Sequence, residues 1–90
     1  MNLIDIALLR ARAAASGIIE ITQKEGTVRF VLANFDFNVI SAVCAEEAFQ
    51  KRIFFSAEKH PVLTVRLKKE EDPLKLAGAL VGRYAILSNG

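Results

Sequence analysis

His60 and Cys44 are the only histidine and the only cysteine in this 90-residue chain, and together they bound the chemistry it can hold. General-base catalysis needs an ionisable group near neutrality beside a nucleophile. His60 stands instead next to Pro61 in a predicted hairpin turn and reads as a solvated turn residue. Cys44, between Val43 and Ala45, reads as a small apolar core residue rather than a nucleophile. One His and one Cys in separate elements supply too few soft ligands for a transition metal, and no Cys or His pair has zinc spacing. The acidic groups Glu46-Glu47 and Glu70-Glu71-Asp72 offer oxygens to Mg²⁺, but they read better as a solvated helix face and as a helix-start cluster favoured by the dipole. No glycine-rich loop follows a strand to cradle phosphate. Gly78 and Gly82 lie at four-residue spacing in the last helix, a weak signal for close helix approach. The expectation is a non-enzymatic chain: no catalytic residues, no metal site and no cofactor.

The cations are the remaining candidates for recognition. Lys24, Arg29, Lys51, Arg52, Lys59, Arg66, Lys68 and Lys69, with Phe54 or Phe55 as a stacking surface, are the set a nucleic-acid-binding sheet would use. Phe54 and Phe55 point to opposite faces of one strand, so only one can join such a surface, and Glu20, Glu25 and Glu58 dilute its field. The partner-binding candidates are Arg29, Phe54, Arg66, Lys68 and Lys69. Twelve basic and ten acidic residues leave a net charge of +2, far from a one-sided balance that holds phosphate backbones without sequence preference. With a single cysteine there is no intrachain disulfide, and a reducing cytoplasm is the expected setting. Arg10 and Arg12 interrupt the longest apolar run well short of the roughly 20 residues that span a bilayer, and no leader-like segment opens the chain. A soluble, cytoplasmic protein without a membrane partner is expected.

Ninety residues match one domain, so residues 1–90 are read as a single unit with one core. Apolar residues make up 52% of the chain, above the roughly 45–50% usual for soluble domains, so surplus apolar surface is expected. Leu3 to about Ser16 reads as a helix stopped at Gly17. Its Leu3, Ile4, Ile6, Leu8 and Leu9 spread wider than one stripe and call for cover beyond its own sheet. Ile18 to Leu32 reads as a hairpin turning through Gln23-Lys24-Glu25-Gly26, with Val28, Phe30 and Leu32 on one face and Arg29 on the other. A second helix, capped by Asp36 or Asn38, is expected to run to about Lys51, with Glu46, Glu47 and Gln50 on its polar side. Arg52–Ser56 and Val62–Leu67 read as a second strand pair around the 57–61 turn. Asp72 and Pro73 then start a last helix carrying Leu74, Leu76, Ala77, Leu80 and Val81. The order αββαββα implies a two-layer α+β fold, an antiparallel sheet of about four strands packed by helices.

The run Asn2-Leu3-Ile4-Asp5-Ile6-Ala7-Leu8-Leu9-Arg10-Ala11-Arg12, continued by Ala15-Ser16-Gly17-Ile18-Ile19-Glu20-Ile21 and Gly26-Thr27-Val28-Arg29-Phe30, resembles the C-terminal domain of the bacterial transcription-repair coupling factor. Pro61-Val62-Leu63 and the helix start Asp72-Pro73-Leu74 fit the closing half of that domain. The likeness covers most of the chain and rests on a diffuse apolar pattern, with no invariant chemical motif. It implies a fragment of a large ATP-driven DNA translocase that acts on DNA and stalled RNA polymerase in excision repair, without the motor and without the upstream helices of its own domain. It further implies a regulatory, autoinhibitory clamp that packs on the N-terminal UvrB-like region and masks the surface recruiting UvrA. Surplus apolar surface would let such a fragment self-associate. A nucleic-acid-binding α+β module is the alternative reading.

Overall fold

A computed structural model describes residues 3–89, with side chains from Asp5 onward. Asn2 and the Leu3 and Ile4 side chains invoked above lie outside the described residues. The elements run α1 (Leu3–Ser16), β1 (Ile18–Lys24), β2 (Thr27–Leu32), α2 (Phe37–Ala45), β3 (Ile53–Ala57), β4 (Pro61–Arg66) and α3 (Pro73–Asn89). This is the αββαββα order, and the strands form one antiparallel sheet in the order β1-β2-β4-β3.

Period-two alternation decides the two faces of the sheet. Val28, Phe30 and Leu32 of β2 and Leu63 and Val65 of β4 point inward, where they join Val39, Ile40 and Val43 of α2 and Leu76, Ala77, Leu80 and Val81 of α3 in one buried cluster. Tyr84, one turn further along α3, is buried with them and was not singled out in the sequence. All three helices contribute to this cluster, α1 through Ala13, so they share one layer, and among the described residues no helix covers the opposite sheet face.

Local chemistry sets the junctions. Glu25 and Gly26 both take positive φ, 48° and 80°, which closes the β1–β2 hairpin with a two-residue turn whose twist suits the strands. Asp36 caps α2 by accepting from the Val39 N–H at 3.2 Å, and Asp72 caps the start of α3 by accepting from the Leu74 N–H at 2.9 Å. Gly82 of α3 faces Arg12 of α1, so one member of the Gly-x-x-x-Gly pair does lie at the helix–helix contact.

Helix α2 ends at Ala45, short of the expected Lys51. Phase explains the difference. At about 100° per residue, a continuous helix would turn Glu46, Glu47 and Gln50 toward the face that Val39, Ile40 and Val43 bury, and would carry Phe49 away from it. The chain leaves helical geometry at Glu46, whose ψ is 134°, and proceeds through turns to Lys51, where φ is 70°. Phe49 thereby reaches the core, at 2% exposure, while Glu47 and Gln50 stay in water. The neighbouring boundaries shift by a residue: β3 is Ile53–Ala57, and β4 begins at Pro61.

Candidate interaction surfaces

The helix-free sheet face gathers three of the five predicted partner-binding residues. Strand register lines up Thr22, Arg29, Thr64 and Phe54 as one cross-strand row, with Arg66 one step along β4. The Arg66 guanidinium lies over the Phe54 ring, 5.4 Å from its centroid, a cation–π contact at the surface. Arg29 reaches across β4 to Glu58 at 2.7 Å, and Glu58 also accepts from the Ser56 hydroxyl at 3.0 Å. That ion pair is half exposed on both sides, so it adds little to stability and neutralises Arg29 as a phosphate ligand. Val62 lies on the same face, between Val31 and Ser56, and is closed to water at 1% exposure. Lys68 and Lys69 stand apart, exposed in the β4–α3 link. Lys68 joins Arg66, Lys51 and Arg52 around a concavity at the end of the sheet, whereas Lys69 does not.

Arg52, one of the candidate cations, has a structural role that its contacts define. Its Nε and Nη2 donate to the Ala48 carbonyl, Nη1 donates to the Arg66 carbonyl, and the Nη groups fork onto Glu71 at 2.5 and 3.1 Å. The side chain is 12% exposed. Glu71 also accepts from the Lys68 N–H at 3.0 Å, and its hydrogen bond to Arg52, followed by that backbone bond and the nearby positive charges, outweighs burial and holds its carboxyl below the usual range. This fork ties the α2–β3 turns to the β4–α3 link, so Glu71 serves structure and is withdrawn from solvent chemistry. A second ion pair, Arg83 with Glu46, joins α3 to the end of α2.

The helix layer leaves apolar surface on two sides. Along α1, Leu8 is 58% exposed, and Ile6 and Leu9 are half-buried above an open groove floored by Ile21, Val28, Leu74 and Ala77. At the far edge Phe35 meets Phe55 edge-on, with centroids 5.6 Å apart, and both rings remain exposed. Nothing in the sequence flagged the Phe35–Phe55 pair, because it joins a loop to a strand that only the fold brings near.

His60 sits half-buried in the β3–β4 turn, where its carbonyl accepts from the Glu58 N–H at 3.2 Å. Cys44 is half-buried against the core, and burial pushes its thiol pKa up, away from the reactive thiolate. Among the described residues no three His, Cys, Asp or Glu side chains gather where one ion would touch them, and no helix is long and apolar enough to cross a membrane. Compared with known proteins, the chain matches no family model, no curated protein and no solved structure.

Proposed function

We propose that this chain is a non-catalytic regulatory module of a transcription-repair coupling factor, docking on the N-terminal UvrB-like region of its parent and masking the surface that recruits UvrA. The observation that carries this reading is the uncovered apolar side of α1. Leu8 stands in water beside the groove lined by Ile6, Leu9 and Leu74, on the helix whose sequence gives the family resemblance. Exposed apolar surface rimmed by polar residues marks protein–protein contact sites, and Asp5 and Arg12 flank Leu8 as such a rim. The parent would supply the motor, the DNA contacts and the RNA polymerase contacts. Binding of the purified chain to the UvrB-like region tests the proposal: Leu8→Asp should weaken it at least tenfold, since a charge would be buried without a partner. Absence of binding between two folded pieces would reject it.

The second reading is nucleic-acid binding by the open sheet face, favoured by the Arg66–Phe54 stack beside Lys51 and Lys68. It requires salt-sensitive retention of DNA or RNA that is lost on reversing Arg66, Lys68 and Lys69. Retention that ignores salt would remove it.

A further inference from the structure

The sheet has two edge strands, β1 and β3, unpaired on their outer sides among the described residues, and the chain treats them differently. Strand β1 carries Glu20 and Lys24 and a register break between Ile18 and Glu20, features that discourage another strand from adding to an edge. Strand β3, Ile-Phe-Phe-Ser-Ala, has no charge, no proline and an unbroken register. It is an unprotected edge.

Backbone parity fixes which β3 groups that edge offers. The Arg66 N–H donates to the Arg52 carbonyl at 2.9 Å, and the Glu58 N–H donates to the His60 carbonyl at 3.2 Å. Hydrogen-bonded pairs recur at every second residue of an antiparallel ladder, so Phe54, Ser56 and Glu58 turn their amides toward β4, while the Arg52 N–H donates to the Phe49 carbonyl at 3.1 Å. Ile53, Phe55 and Ala57 turn theirs outward. Pro61, which has no N–H to give, stands opposite Ala57, as this parity requires.

We propose that the β3 edge is a strand-addition site whose occupant is a second copy of this chain, paired antiparallel about a twofold axis at Phe55. In that register Phe55 meets its own copy and Ile53 meets Ala57, so every outward N–H and C=O of the strand finds a partner. Phe54 falls opposite Ser56, large against small, and no like charges are set against each other along the strand. A second copy brings the same uncharged, proline-free strand to the edge, with its exposed Phe55 at the axis. Phe35, which packs on Phe55, and the strand residues Phe54 and Phe55 are 58, 49 and 41% exposed. Burying roughly 100 Å² of each ring in both copies supplies on the order of 600 Å² before any backbone is counted, toward the roughly 1,000 Å² that a specific interface needs. The axis leaves the α1 groove open, so this pairing and the docking proposed above stand or fall separately.

Sedimentation of the full chain across a wide concentration range tests the pairing, with Phe55→Lys and Ala57→Pro as edge variants and Lys75→Glu as a surface control. Phe55→Lys sets like charges against each other at the axis. Ala57→Pro removes an outward N–H that makes no bond within its own chain, so it tests the edge even where the lysine variant fails to fold. The expected result is a dimer for the parent and for Lys75→Glu, monomers for both edge variants, and exchange at the Phe55 amide that slows as concentration rises. A parent chain that stays monomeric at millimolar concentration, a dimer that survives Ala57→Pro, or Phe55 exchange indifferent to concentration would overturn the proposal.

Discussion

Replacing Arg52 by alanine should destabilise the domain through two mechanisms that pH can separate. The side chain makes five hydrogen bonds, two to the Ala48 carbonyl, one to the Arg66 carbonyl and two to the Glu71 carboxylate. Bonds to charged groups contribute about 1.5–3 kcal/mol each in favourable cases, but several on one side chain are not additive, and the carbonyls left behind regain water in part. A loss of about 2–4 kcal/mol is expected, which for a domain of this size lowers the melting temperature by roughly 10–25 °C. Because Glu71 is held below its unfolded carboxylate pKa by Arg52, the stability from that pair is fully present above the unfolded value and is lost as pH falls through the folded one. The difference between parent and Arg52→Ala should therefore be largest near about pH 7 and shrink toward about pH 2, where only the carbonyl bonds remain. Glu71→Gln should reproduce the acid-sensitive part alone. Arg52→Lys should recover less than half, since an ammonium cannot fork onto a carboxylate and reach two carbonyls at once. Urea denaturation followed by circular dichroism measures all four chains. A loss below about 0.5 kcal/mol, or one of equal size at both pH values, would refute this account of the Arg52 contacts.

Further outcomes follow from other contacts. Asp36→Ala removes the cap on the Val39 N–H and should cost about 1 kcal/mol by the same denaturation assay. Glu25→Asn should stabilise the hairpin by a few tenths to about 1 kcal/mol, because Glu25 holds a left-handed φ of 48° that asparagine tolerates better. Phe30→Ala, at a side chain with 0% exposure, should cost about 3–5 kcal/mol and leave little folded protein. Cys44 should be alkylated more slowly in the folded chain than in denaturant at the same pH, since burial raises its pKa.

Much of this fold was legible where one physical rule acts locally. Alternation along Val28–Leu32 and Leu63–Leu67 assigned the inward faces, and the Asp72-Pro73 pair located the start of α3. The end of α2 was misread because Ala45–Gln50 is good helix sequence by propensity; only the angular phase of Phe49 against Val43 reveals that continuing would bury two glutamates. Strand order and the Arg52–Glu71 fork depend on pairings between residues far apart in sequence, which no local rule supplies. Of the candidate binding residues, Arg29, Phe54 and Arg66 share one face because period two dictated it, whereas Lys68 and Lys69 lie beyond the strand, where that period no longer operates. The contrast between a charged, bulged β1 edge and a bare β3 edge could be composed only once both were known to be edges.

Titrating an isotopically labelled sample of this chain with the UvrB-like region of a coupling factor, and following each backbone amide by NMR, tests the proposed role most directly. Saturable shifts centred on Ile6, Leu8, Leu9 and Leu74 are expected, with the amides of the outer-face residues Arg29 and Thr64 unmoved. Shifts confined to the open sheet face, or none at saturating partner, would contradict it.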